Sequence, residues 1–414
     1  MKKFLSEKVN DQAILDVVFE ASQNARAAIK EHGSENVVNG VFGAYFKEEG
    51  GLLTFDTVYR TLDEVPDVEK ARYAASISGA PEFKKGVKYW LFEKAGIEID
   101  CDIIATPGGT GALSSTVKNT LAPGETVIHP EIGWGPYKTI AKQHNVGIET
   151  YKNFDGDRFN LEAFSAVCEK VMEEQGKVLV FINDPCQNPT GYTIEDEEWD
   201  AITDFLDTLS EKGPIVMLVD IAYIDFTHKG DDYKQTFKRF ENMSDNVLTV
   251  LAFSASKTMT AYGMRVGAQV LIGSTEERRT LFKNACENTC RGTWSTVNNG
   301  GMMTFASLAL EEDKRNAYMK EKEAYLELLK ERAEIFTREA EEAGLPLYPY
   351  KEGFFITIRI DDADRKNALH MKLQEHNIFF VNVKNGLRVA ICSIPKEKVK
   401  GLARRVKEIY DPST

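Results

Sequence analysis

Four short, almost purely apolar runs dominate the middle of the chain: Lys177-Val-Leu-Val-Phe-Ile182, Ile215-Val-Met-Leu-Val219, Val247-Leu-Thr-Val-Leu-Ala-Phe253 and Val266-Gly-Ala-Gln-Val-Leu-Ile272. From about residue 100 the sequence repeats one unit, an apolar run, then a turn with polar or glycine residues, then a helical segment. Repetition of that kind predicts a mainly parallel sheet with helices on both faces. Each run is followed at its C-terminal end by a chemically distinctive group, and in open α/β sheets that edge is where ligands bind.

The pattern changes around residues 313 to 343, where the sequence becomes long, charged and helical. Leu326, Leu329, Ala333, Phe336 and Ala340 recur on one helical stripe. After Gly344 the alternation of Gly353-Phe-Phe-Ile-Thr-Ile-Arg-Ile360 predicts a strand, with shorter α and β elements following. Residues 1–50 lack a core pattern of their own. The expected organisation is a large domain over 51–312 and a smaller α/β domain built from 1–50 and 313–414.

Composition bounds the partners. With 43% hydrophobic and 28% charged residues the chain is neither disordered nor collagen-like. Lys and Arg number 51 against 64 Asp and Glu, a net charge of −13, which argues against nucleic acid and anionic membrane as partners. The same acidic total poses a problem for any anionic small substrate, which such a field repels at long range. Six cysteines without a C-x-x-C pair read as free thiols in a reducing cytoplasm. Charged residues interrupt the N-terminus where an export signal needs an apolar core, and no run approaches the roughly 20 residues of a membrane helix. Six scattered histidines form no metal-ligand spacing, so no metal is expected.

Several segments carry chemistry. Ser254-Ala-Ser256-Lys257 follows an apolar strand and places one lysine among hydroxyls, with Arg265 eight residues on. That suits a Schiff-base lysine beside a phosphorylated cofactor, although a solvated loop lysine has the same spacing. Asp184-Pro-Cys-Gln-Asn188-Pro-Thr-Gly191 reads as a turn that aims the Asn188 amide toward the same cleft. Asp220-Ile-Ala-Tyr223 puts a carboxylate at the end of a buried strand, where it needs a cationic or hydrogen-bonding partner or serves as a helix cap. Gly108-Gly109-Thr110-Gly111 opens a helix and offers backbone N–H groups to a phosphate. No Gly-Lys-Ser/Thr follows it, which removes the main support for an NTPase.

In that order, Gly109-Thr110-Gly111-Ala112, Trp134, Asn188-Pro-Thr-Gly191, Asp220-x-x-Tyr223, Ser254-x-Ser-Lys257 and Arg265 resemble the class I aminotransferases of pyridoxal 5'-phosphate (PLP) fold type I, a large domain with a mainly parallel sheet of seven-stranded type flanked by helices. The resemblance is nearest to the aspartate and aromatic amino acid enzymes and runs nearly end to end, through Val38-Asn-Gly-Val-Phe-Gly43-Ala-Tyr45 and Arg388-Val-Ala-Ile-Cys392. It implies that Lys257 holds PLP as a Schiff base and then moves the proton, that Asp220 pairs with the pyridine nitrogen, and that Asn188 and Tyr223 donate to the ring oxygen. Trp134 would stack on the ring. Gly109, Thr110, Ser254 and Arg265 would bind the phosphate, with Ser256 adjacent and Tyr73 reaching across from a neighbouring subunit. Arg388 would grip the substrate α-carboxylate, beside Trp134 and Asn188. Arg291, in Cys290-Arg-Gly-Thr-Trp294-Ser295, matches the segment that in dicarboxylate enzymes reads the distal carboxylate across a homodimer with shared active sites.

The expected function is transfer of an amino group between an amino acid, aspartate or glutamate first and aromatic second, and a 2-oxo acid such as 2-oxoglutarate. Two departures bear on that choice. One extra residue separates Tyr73 from Gly79, and Thr296-Val-Asn-Asn-Gly300 stands where the dicarboxylate enzymes usually carry Asn-Pro-Pro. The rival expectations are an aromatic-specific transaminase, a fold type I lyase or decarboxylase, or a non-catalytic PLP-sensing regulator. If Arg265, Arg291 and Arg388 line one cleft, the net charge of −13 belongs mainly to the solvated exterior and anion binding is local.

Overall fold

The computed structural model describes residues 4–5 and 17–411. Seven strands form the central sheet: β1 (Cys101–Thr106), β2 (Thr126–Pro130), β3 (Gly147–Tyr151), β4 (Val178–Asn183), β5 (Ile215–Asp220), β6 (Val247–Phe253) and β7 (Gly267–Ile272), in spatial order β1-β7-β6-β5-β4-β2-β3. The four apolar runs supply four neighbouring strands. Alternate side chains leave on opposite faces: Val178, Val180, Ile182, Met217 and Val219 enter one apolar layer, while Leu179, Phe181 and Leu218 enter the other. Burying each such side chain contributes about 1.5–3 kcal/mol, so the period-2 pattern fixes the register firmly.

One strand departs from expectation. β7 runs antiparallel to both of its neighbours, β6 and β1. The segment joining β6 to β7 does not cross back over the sheet; it remains at the C-terminal edge, carrying Lys257 and Arg265, so the next strand has to return reversed. The distinctive group therefore precedes β7 instead of following it. Gly267 permits the return, since a Cβ there would stand 2.5 Å from Phe253 O and 2.6 Å from the Gly108 carbonyl carbon.

The C-terminal ends of β1, β4, β5 and β6 thus share one edge with the start of β7. At that edge the helix α1 (Gly108–Thr120) and the single turn α2 (Ala255–Thr258) begin. The long charged segment forms α3 (Glu312–Ala343), with Leu329, Ala333, Phe336 and Ala340 buried along its apolar stripe. A smaller antiparallel sheet follows, of strands β8 (Phe355–Arg359), β9 (Val381–Val383) and β10 (Gly386–Ala390), ordered β8-β10-β9. Helix Val17–His32 contributes Ala21 and Ala25 to a small apolar cluster with Val37, Val41, Phe379 and Val381, and Val38–Asn39 pairs with Ile378–Phe379. All six cysteines are free. Among the described residues no helix is long and apolar enough to cross a membrane.

Candidate active site

A cavity of about 250 Å³ opens at the C-terminal edge of the sheet, and Gly109, Thr110, Trp134, Asn188, Asp220, Tyr223, Ser254, Ser256, Lys257 and Arg265 line it. The register explains why distant segments converge: Asn183 at the end of β4 pairs with Asp220 at the end of β5, which pairs with Ala252 one residue before the end of β6. Asp220 therefore stands at the tip of the central strand with Lys257 one connection away.

Asp220 is buried, which pushes its carboxyl up from the usual carboxylate range. The Tyr137 hydroxyl, donating to Oδ2 at 2.8 Å, and the Ala222 N–H, donating to Oδ1 at 3.2 Å, pull the other way. Lys257 donates from Nζ to Gly43 O at 2.8 Å and stands 5.2 and 4.9 Å from the ring centres of Tyr223 and Tyr262. Among the described residues it has no carboxylate within salt-bridge distance. Desolvation, reinforced by the positive charges of Arg388 and Arg265, brings its ammonium down to about 8.

Arg265 sits in the left-handed region at φ 55° and donates to Tyr262 O at 2.9 Å and Pro107 O at 3.3 Å. Its guanidinium lies against the start of α1, where a Cβ on Gly108 would come within 2.5 Å of Nη2. The N–H groups of the first turn of α1 and this arginine face one space, a combination suited to a phosphate. The Ser254 side chain is 3.7 Å from where a Gly109 Cβ would lie. Ser256 is differently employed: its hydroxyl donates to Val266 O at 3.2 Å and accepts from Val266 N at 2.9 Å, pinning α2 to the start of β7.

Arg388, on β10, donates to Asn188 Oδ1 at 3.3 Å and to Val41 O at 2.7 Å, and lies 4.5 Å from the Phe355 ring centre. It lines a second cavity that shares Trp134 and Asn188 with the first. Two nominated residues lie elsewhere. Tyr73 is 79% exposed, and Arg291 is exposed on the helix Glu276–Thr293, donating to Ser295 Oγ at 2.7 Å. Neither lines the cavity within one chain.

The sequence profile of the family described as aminotransferase class I and II matches residues 46–406. The chain belongs to that family. It is a PLP-dependent aminotransferase. A solved aminotransferase from Anaerococcus prevotii DSM 20548 is 31% identical over 99% of both chains, with a TM-score of 0.94. The aspartate aminotransferase of Escherichia coli K12 is 24% identical over 74% of this chain and 77% of its own length. An aromatic-amino-acid aminotransferase from Paracoccus denitrificans is also 24% identical, over 68% of this chain and 70% of its own.

Sequence reading missed several residues that line or adjoin this cavity. Tyr137 lies one helical turn beyond Trp134 and packs edge-on to it at 5.5 Å, a spacing that could have nominated it. Asn183 accepts the Asn188 N–H at 2.7 Å and donates to Asp220 O at 2.8 Å, joining two nominated segments. Its signal is a polar residue ending a buried strand. Tyr262, whose hydroxyl accepts the Tyr45 N–H at 3.0 Å, carries no comparable signal.

Proposed function

We propose that this aminotransferase binds PLP in the cavity around Lys257 and moves amino groups between acidic amino acids and 2-oxo acids. The observation that carries the reading is a charge imbalance: Lys257 and Arg265 face one cavity with a single carboxylate, Asp220. Lys257 is desolvated there beside the exposed Arg265, and a bound anion would offset their excess of positive charge. A cofactor with a phosphate at one end and a protonatable ring nitrogen at the other fits the donor set, with the phosphate at Gly109, Thr110, Ser254 and Arg265, and the nitrogen at Asp220.

In this reading Asp220 holds positive charge on the ring nitrogen, helped by Tyr137, which keeps the carboxylate ionised. Asn188 and Tyr223 direct donors at the ring oxygen; Asn188 Oδ1 is already taken by Arg388, which turns the Nδ2 donors outward from that contact. Trp134 covers the ring face. The bound cofactor supplies an electron sink for the negative charge left at Cα. Arg388 grips the α-carboxylate and orients the Cα–H bond, and Lys257 Nζ takes the proton from Cα. An amine held near 8 has an appreciable neutral fraction at neutral pH, which an ordinary lysine lacks.

Further elements of the proposal are a large domain over 51–312, a small domain from 1–50 with 313–414, and a homodimer in which Tyr73 and Arg291 act on the neighbouring site. Their exposure in a single chain supports the dimer, because both are otherwise side chains without a site. Arg291 favours aspartate and glutamate as donors. The altered loop Thr296–Gly300 supports a second reading in which aromatic donors are also accepted.

The test is a half-reaction panel. PLP-loaded protein is mixed separately with aspartate, glutamate, tyrosine, phenylalanine and alanine, and conversion to the pyridoxamine form is followed by absorbance. Aspartate and glutamate should convert it fastest. No conversion by any amino acid would end the proposal, and faster conversion by the aromatic donors would replace the substrate reading with the second one.

A further inference from the structure

Lys257 sits on α2, a helix of four residues. A single turn has no stability of its own, so its place is set by what holds it from outside. One side is held by Ser256 on Val266. The other side is held by Thr258, whose hydroxyl donates to Asp225 Oδ2 at 2.6 Å and whose carbonyl accepts the Tyr318 hydroxyl at 2.6 Å. A further contact from the Thr258 hydroxyl to Ser254 O, at 3.5 Å, is much longer.

Asp225 stands two residues beyond Tyr223, on the short turn Ile224–Phe226. Its carboxylate also accepts Lys322 Nζ at 3.0 Å and Trp90 Nε1 at 3.1 Å, and all four side chains are buried. Tyr318 and Lys322 lie one turn apart on α3, so one face of that helix holds both the carbonyl of Thr258 and, through Asp225, its hydroxyl. The connection joins the segment carrying Asp220 and Tyr223 to the turn carrying Lys257.

A buried ion pair is a poor device for stability alone, because well-packed apolar residues do as well or better; what it adds is direction. We propose that Asp225 and Thr258 are positioning residues, which fix where the Lys257 amine stands relative to Asp220 and Tyr223, with Lys322 and Tyr318 as their anchors. The catalytic part of this inference rests on the function proposed above, whereas the mechanical part does not.

The experiment compares the unaltered protein with Thr258→Val, which keeps the shape and removes the hydroxyl, and Thr258→Ser, which restores it. In cofactor-free protein, hydrogen exchange at the amides of residues 257–259 should quicken by about tenfold or more in Thr258→Val, as expected when a hydrogen bond to a charged group is lost. With the best amino donor from the panel, kcat should fall about tenfold or more while KM stays within about twofold. The Cα-deuterium isotope effect should rise as proton transfer by Lys257 becomes limiting. Thr258→Ser should return all three readouts toward the unaltered values. Unchanged exchange and isotope effect in Thr258→Val, or losses that the serine does not recover, overturn the proposal. If the unaltered protein converts no donor, the proposed function fails and the exchange measurement alone decides the positioning.

Discussion

Tyr137 donates its hydroxyl to Asp220 Oδ2 at 2.8 Å in a fully buried setting. Without that bond Asp220 keeps, among the described residues, the Ala222 N–H and the attraction of Lys257, and burial drives it further toward the protonated state, in which it cannot hold a cationic ring nitrogen. Tyr137→Phe should therefore weaken PLP binding by about tenfold to a hundredfold, the range for removing a hydrogen-bond donor from a buried carboxylate that holds a ligand. Equilibrium binding followed by absorbance measures it. Unaltered affinity would mean that Asp220 does not depend on Tyr137.

Gly108 should resist substitution more than its neighbour. Its φ of 70° disfavours any side chain, at about 1–2 kcal/mol, and the added Cβ would displace the Arg265 guanidinium. Gly108→Ala is expected to lower both the unfolding midpoint and the affinity for PLP. Gly109→Ala, with its nearest new contact at an ordinary 3.7 Å, should leave the stability of the cofactor-free protein unchanged or slightly raised. Equal losses of stability in the two variants would contradict this account.

Lys257 imposes a pH dependence on stability. Desolvation and the two arginines bring its folded value from 10.5 to about 8, so between those values the unfolded chain holds a proton that the folded chain has released. Folding stability must then rise with pH across that window, by about 3 kcal/mol from this group. Below about 8 the folded protein carries a half-buried, desolvated ammonium near Arg265 and Arg388. Urea unfolding of cofactor-free protein at pH 7.5 and pH 10 should show a smaller rise in Lys257→Met than in the unaltered chain. The same rise in both would show that Lys257 titrates normally.

How much of this was legible in the sequence depended on whether a residue's role was local. Lys257, Asp220 and Asn188 could be read because each follows an apolar strand, and parallel register then carries all three to one edge. The direction of β7 could not be read, since a strand buried on both faces has the same composition in either orientation. Tyr262 reaches the cavity by its side chain alone, and Tyr137 acts from behind it through Asp220. Asp225 finds its counter-ion Lys322 97 residues away, on a helix whose sequence marks an apolar stripe but does not single out one of its many lysines as buried. The expected three-arginine cleft is divided: Arg265 and Arg388 line two cavities that share Trp134 and Asn188, and Arg291 lines neither.

That third arginine yields the most selective prediction. If Arg291 reads the distal carboxylate from the partner subunit, Arg291→Ala should raise KM for aspartate and glutamate by about tenfold or more, the value of a charge-assisted pair, and change KM for phenylalanine by less than about twofold. Equal losses for both donor classes would leave Arg291 a supporting residue of the exposed helix end. Mixed dimers separate the two chains' contributions. A dimer of one Lys257→Ala chain and one Arg291→Ala chain contains a site with an intact lysine that faces the intact arginine only if Arg291 acts across the interface. Such dimers should turn over aspartate with the unaltered KM at one site in two. If Arg291 acts within its own chain, every site that retains Lys257 lacks the arginine, and the raised KM persists in the mixture.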